Sequence, residues 1–179
     1  VPEFLNPTLR SALPDPFHLR DMDKAVLRLM KAIEQKETIA IFGDYDVDGA
    51  TSVSQLTDYF AALGVRSIAY IPDRMKEGYG PNIGAFDTLI GKGATLIITV
   101  DCGTLAFDPI AHATAKGAEV LVIDHHIGEA RLPNAIAVVN PDEDCSAAAG
   151  RDVIDEVLAS PVEPSPESLH AAEILGELR

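Results

Sequence analysis

Three aspartates, Asp44, Asp46 and Asp48, alternate through "IFGDYDVDGATS" just ahead of Gly49. If the backbone were fully extended there, all three carboxylates would project to one side. A lone aspartate between a strand and a helix is usually a helix cap. Three at alternate positions repel one another and coexist only with a cation among them or with shifted pKa values, which points to a divalent metal. A fourth acid, Asp101, ends the apolar run of "TLIITVDCGT", and "EVLVIDHH" ends in Asp124, His125 and His126. An acid and two imidazoles at the end of a buried strand lose solvation unless partners meet them. Carboxylates with imidazole and no thiolate suit Mn2+ or Mg2+ better than a structural zinc, and the imidazole favours Mn2+. The alternative for His125 and His126 is hydrogen-bonded packing. In "YIPDRMKEGYGPN", Arg74 could grip a phosphate through its planar fork, and the glycines let backbone approach an anion. Cys102, beside Asp101, is expected to be a small buried thiol and not a ligand.

Positioning these groups requires strands whose ends meet. The runs "TIAIFG", "SIAYIP", "TLIITV", "EVLVID" and "AIAVVN" are short and almost wholly apolar. They alternate with helix-length stretches that finish near glycines. This pattern predicts a doubly wound α/β fold with a mainly parallel five-stranded sheet and helices on both faces. Carboxyl ends of neighbouring strands in such a sheet share one crevice at the reversal of strand order, which would bring the acids and imidazoles together. Residues 1–37 form a helical lead-in, with Met22, Val26, Leu29, Met30 and Ile33 on a helical period and Asp21 as its expected N-cap. Beyond Asn140 the pattern stops. Residues 141–179 are an acidic tail with helical candidates at 152–159 and 167–178, expected to be helical or poorly ordered.

The 179 residues, 47% apolar and 23% charged, fit one soluble globular domain. The absence of a span of about 20 apolar residues or of a secretory leader leads to the expectation of a cytoplasmic protein with no membrane partner. Cys102 and Cys145 are expected to be free thiols. The net charge is −14, of which residues 141–179 contribute −8 (10 acids, 2 bases) and the rest −6 (18 acids, 12 bases). Such acidity argues against indiscriminate DNA binding without excluding a local phosphate site.

Four segments in order, "GDYDVDGATS", "PDRMKEGYG", "TVDCGT" and "VIDHHIGEARLPNAIAVVNP", together with the "DPFHLRDMDKAV" entry, resemble the DHH phosphoesterase superfamily, and within it the RecJ branch of single-strand-specific 5′ exonucleases. The resemblance implies a two-manganese phosphodiesterase that removes nucleotides from the 5′ end of single-stranded DNA or oligonucleotides in repair and recombination. Carried over residue by residue, it implies metal binding by Asp44, Asp46, Asp48, Asp101 and His125, and a substrate-phosphate role for His126 and Arg74. Asp124 would orient the imidazoles, as metal-bound histidines generally require. The family's glycine-rich "GAG"-type helix and its further "GTxAD" acid have no counterpart after Asn140. Residues 1–140 therefore read as a partial DHH phosphoesterase domain, and the chain as the first part of a larger enzyme or a truncated relative, weak or inactive alone. Two other readings are a non-catalytic DHH-fold binding or regulatory module, and a relative acting on short oligonucleotides or cyclic dinucleotides.

Overall fold

The structure, a computed structural model, describes Thr8 and residues 15–141. The expectations for residues 1–14 other than Thr8, for the acidic tail and for Cys145 lie outside the described residues. A 3-10 turn, Pro16–His18, is capped by the Asp15 side chain and leads into α1 (Met22–Glu34). The elements that follow are β1 (Ile39–Gly43), α2 (Val47–Ala62), β2 (Ser67–Tyr70), the short α3 (Arg74–Glu77), α4 (Ile83–Gly91), β3 (Leu96–Val100), α5 (Phe107–Ala115), β4 (Glu119–Ile123) and β5 (Ala137–Val139). No helix among the described residues is long and apolar enough to cross a membrane.

All five predicted strands form, in the order β2-β1-β3-β4-β5, and every pairing is parallel. The chain leaves β1 for one side of the sheet and returns as β3 on the other, so the order reverses between β1 and β3, where an open α/β sheet forms its crevice. Alternation along each strand feeds two cores. Phe42, Ile97, Val120 and Val122 pack with Phe86, Leu89 and Ile110 from α4 and α5. Ile39, Ile41, Leu96, Ile98 and Leu121 pack with Phe60 of α2 and with Ala25 and Ala32 of α1 on the other face. Central strands buried on both faces explain why the runs are apolar throughout and show no polar alternation.

A charged side chain also enters this interior from α1. Arg28 is 8% exposed and places its guanidinium at the amino ends of the strands. There it makes two bonds to Glu37, just before β1, and one to Glu119, the first residue of β4. The Thr95 hydroxyl, just before β3, donates to the same Glu37 carboxylate. Three strands are thus tied to one helix below the sheet.

The expected cap at Asp21 is corrected by the structure. Asp21 sits at the N-cap position of α1 with φ 58°, and its side chain makes no capping bond. Lys24 Nζ holds one carboxylate oxygen at 2.6 Å, and the amide of Val138 in β5 donates to the other at 3.4 Å. A tertiary contact has taken the oxygen that a local cap would have used.

Candidate metal centre

Register assembles the site. Gly43 pairs with Val100, Val100 with Ile123, and Ile123 with Val139, so these four residues form the last paired row across β1, β3, β4 and β5. The residue after each is polar: Asp44, Asp101, Asp124 and Asn140. All four are buried, at 2%, 7%, 6% and 0% exposure. Four strands therefore end on one polar row that stays in contact with the core. Asp101 adopts a left-handed φ of 60°, uncommon for a residue with a Cβ, while its amide still continues the ladder to Ile123 O.

The alternation of Asp44, Asp46 and Asp48 is not that of an extended strand. β1 ends at Gly43, and Asp46 caps α2, its Oδ1 accepting from the Gly49 amide at 3.1 Å. Asp48 lies in the first turn of α2. Gly49 lets this turn sit directly on the strand end, because a Cβ there would come within 2.4 Å of Asp44 O and 2.6 Å of Asp44 N. Asp44 and Asp46 thereby reach the same place from a strand tip and a helix cap.

Two groups of donors result. Asp44, Asp46 and Asp101 can bring one oxygen each within 4.8 Å of one another, and Asp101, His125 and His126 can do the same with their ligand atoms. Asp101 belongs to both groups. Two carboxylate oxygens, Asp44 Oδ1 and Asp101 Oδ2, are buried without any hydrogen-bond partner. Such oxygens are costly in a protein interior, and a hard divalent cation would satisfy them. The donor set, oxygens with imidazole nitrogen, fits that group of ions. Burial and the neighbouring Asp46 carboxylate push the Asp101 carboxyl above its ordinary value. The Gly49 amide and the contact with Asp101 hold Asp46 below its own. The two acids thus behave as neighbours that do not both carry full charge at ease.

Asp124 supports both imidazoles. Its Oδ1 accepts from the amides of His125 at 2.8 Å and His126 at 3.2 Å and lies 2.8 Å from His126 Nδ1, while Oδ2 accepts from the Thr104 amide at 3.0 Å. Burial alone would raise its pKa, but these bonds outweigh it and hold the carboxyl below its usual value. The Asp124 contact in turn raises His126. Asn140 closes the row by donating to Thr104 Oγ1 and to His126 O, both at 2.9 Å. Sequence reasoning missed Asn140 and Thr104. The parallel endings "FGD", "TVD", "VID" and "VVN" were the available signal.

Besides Asp124, two predicted site residues, Asp48 and Arg74, stand outside both groups. Asp48 lines a cavity of about 520 Å³ with Ser52, Leu56, Asp101 and His125. Arg74 starts α3 and lies over the Tyr45 ring at 5.0 Å. Its loop is anchored by Glu77, which accepts from the Tyr70 hydroxyl at 2.7 Å, the Asp73 amide at 2.8 Å and Asn82 Nδ2 at 3.2 Å. Tyr70 stacks on Phe42 of β1. So held, the loop carries Tyr79 to 3.4 Å from the ring nitrogens of His126 and edge-on to Tyr45. Tyr45 and Tyr79 were not among the predicted site residues. Cys102 is a free, buried thiol, as expected, and burial raises its pKa.

A parallel α/β sheet with acids and imidazoles massed over its carboxyl ends sets this domain among α/β proteins with a candidate metal centre in the crevice of the sheet. The chain belongs to the DHH family: the family's N-terminal domain matches residues 38–175. It is 43% identical over 129 residues to the single-stranded-DNA-specific exonuclease RecJ of Bacillus subtilis (strain 168), covering 72% of this chain and 16% of that protein. It is 40% identical over 139 residues to the RecJ of Haemophilus influenzae, covering 77% and 24%. Among solved structures, that of exonuclease RecJ bound to manganese aligns with a TM-score of 0.64 at 33% identity, over 69% of this chain and 31% of that one. RecJ from Thermus thermophilus in complex with Mn2+ aligns with the same TM-score at 30% identity, over 79% and 19%. This is a RecJ-like member of the DHH family that spans 16% and 24% of the length of those two curated relatives.

Proposed function

We propose that this chain carries the metal-binding half of a phosphodiesterase site that removes nucleotides from the 5′ end of single-stranded DNA in repair and recombination. One observation carries the reading: two donor groups share Asp101, and two of their buried carboxylate oxygens have no partner. Kinship with the single-stranded-DNA-specific exonucleases supports the substrate class, and the manganese-bound neighbours support Mn2+. Asp44, Asp46 and Asp101 would hold one ion and Asp101 and His125 a second, with Asp48 at the edge of the cavity. Divalent cations bound there supply positive charge to a phosphodiester and its attacking water.

The protein's own groups do the placing. Asp124 fixes the His126 ring through Nδ1, which would leave Nε2, beside the Tyr79 hydroxyl, to meet a substrate phosphate. Arg74, on its tethered loop beside Tyr45, supplies a planar cation on the same rim. Asp46 keeps its cap to Gly49 through one oxygen and offers the other to the crevice. The experiment is release of labelled nucleotides from 5′-ended single strands with Mn2+, run beside a calorimetric Mn2+ titration. In the parent chain Mn2+ binding is expected together with weak release at most, and both are lost in Asp101→Ala. Mn2+ binding unchanged in Asp101→Ala would overturn the assignment of the site.

A further inference from the structure

One member of the polar row departs from its pattern: β1, β3 and β4 are followed by an acid, but β5 is followed by an amide, Asn140. Asn140 is wholly buried, and its Nδ2 donates both to Thr104 Oγ1 and to His126 O at 2.9 Å. Thr104 lies, equally buried, in the loop after β3. Gly103 lets that loop settle on its own strand, since a Cβ there would come within 2.5 Å of Thr99 Oγ1. Thr104 gives both its amide and its hydroxyl hydrogen to Asp124. Asp124 Oδ1 accepts the His126 amide at 3.2 Å and faces His126 Nδ1 at 2.8 Å. Asn140, Thr104, Asp124 and His126 therefore form a closed ring of hydrogen bonds across the ends of β3, β4 and β5.

Chemistry sets the direction of every bond in this ring. An ionised carboxylate only accepts, so the hydrogen between Asp124 and the His126 ring belongs to Nδ1. The Thr104 hydroxyl gives its one hydrogen to Asp124 and so accepts from residue 140. The main-chain carbonyl of His126 also only accepts. Residue 140 thus faces two acceptors, and an amide NH2 satisfies both where a carboxylate would satisfy neither. This is the physical reason for an asparagine in a row of aspartates. The Tyr79 hydroxyl, 3.4 Å from each ring nitrogen of His126, does not choose between them.

We infer that Asn140 is a positioning residue for His126: by donating to Thr104 Oγ1 and His126 O, it keeps Asp124 against Nδ1 and leaves Nε2 to the crevice. The inference rests on the phosphodiesterase reading for what His126 meets there, and deepens it by naming what aims the ring. Asn140 is buried and acts on the crevice through the exposed imidazole. Its two bonds serve different ends. The one to His126 O holds the main chain, and the one to Thr104 orients the hydroxyl that holds Asp124. Without them the imidazole is free to turn and to carry its hydrogen on either nitrogen.

The test is nitrogen NMR of the histidine rings in the whole chain at about pH 9, well above the ordinary imidazole value of about 6.5, where the tautomer of a neutral ring is read directly. In the parent, His126 should show one tautomer, with its hydrogen on Nδ1. Asn140→Asp keeps the shape of the side chain and removes both donors. It should give a mixture of tautomers and quicken exchange of the His126 amide at least about tenfold. Thr104→Val removes the hydroxyl alone and should also mix the tautomers, while Thr104→Ser should restore the parent pattern. A residue that only stabilised the fold would lower Tm and leave the ring nitrogens as they are. A single Nδ1–H tautomer in both Asn140→Asp and Thr104→Val would therefore overturn the inference, and should Asn140→Asp not fold, Thr104→Val decides by itself. Failure of the parent to bind Mn2+ in calorimetry would instead remove the phosphodiesterase reading, with the tautomers still deciding whether Asn140 aims the ring.

Discussion

His125 Nε2 lies 3.0 Å from Asp101 Oδ1, although the two residues belong to different strand ends and are 24 positions apart. The same carboxylate also approaches Asp46, and its second oxygen is buried without a partner. Among the described residues, Asp101 is thus the side chain on which the acids of β1 and α2 and the imidazoles after β4 converge.

This convergence makes Asp101 costly to the metal-free fold. Asp101→Asn removes a like charge from Asp46 and suits the left-handed backbone, which asparagine adopts more readily than most residues. The variant should therefore melt higher than the parent without metal, by about 1 kcal/mol in stability. Its affinity for Mn2+ should fall at least tenfold, so that added Mn2+ no longer raises its Tm. Thermal melts with and without Mn2+ check both outcomes, and a variant less stable than the parent in chelator would contradict the repulsion argument.

Glu77 governs the rim by holding the loop from Asp73 to Asn82. In Glu77→Gln, one of the three donors now aimed at the carboxylate would face an amide NH2, costing about 1 kcal/mol locally. Amide exchange over residues 73–82 should quicken, and His126 should lose the signature of its Tyr79 contact. Mn2+ affinity should hold, because Glu77 touches none of the donors. Tyr70, whose phenol is pushed up to about 12 chiefly by its bond to Glu77, should ionise at lower pH in the variant, visible as an earlier phenolate absorbance.

Arg28 anchors the opposite end of the sheet. Arg28→Met leaves Glu37 and Glu119 without their cation, and loss of one partner from a buried ion pair is strongly destabilising. Because Glu119 is itself half-exposed, the expected loss is about 2–3 kcal/mol by urea unfolding. Mn2+ titration of the folded variant should match the parent, since the clamp and the metal donors occupy opposite strand ends.

The same clamp sets an acid dependence. The Arg28 guanidinium, assisted by Thr95, holds the Glu37 carboxyl below its ordinary value of 4.5. A carboxyl depressed in the folded state contributes its stability in full above the unfolded value and loses it as pH falls through the folded one. The Glu37 contribution should therefore be level from neutral pH down to about 5 and drop below about 4.5. In Arg28→Met this part of the acid slope should flatten, which unfolding midpoints measured at several pH values would reveal.

The sheet was legible because doubly buried parallel strands have no polar face, and each apolar run announced itself. Asp44, Asp46, Asp101 and His125 were legible too, as polar residues ending such runs or lying just beyond them. Asp48 was drawn towards them by an alternation that would hold in a strand. A helix beginning at Val47 turns it to the cavity wall instead. Asn140 escaped notice because its run ends in an amide where the other three end in an acid, and its place in the polar row comes from the pairing of Ile123 with Val139. Tyr79 depends on a loop tied by Glu77 to Tyr70, a contact made through the fold. Asp21 shows the same limit, since its oxygens went to Lys24 and to β5.

The Arg28 clamp and the polar row lie at opposite ends of strands about 16 Å long. What keeps this molecule assembled is therefore remote from its candidate metal donors. A lineage could rewrite the upper rim and retune ion or ligand while the lower anchorage preserves the scaffold, so chemical novelty here need not begin with structural loss.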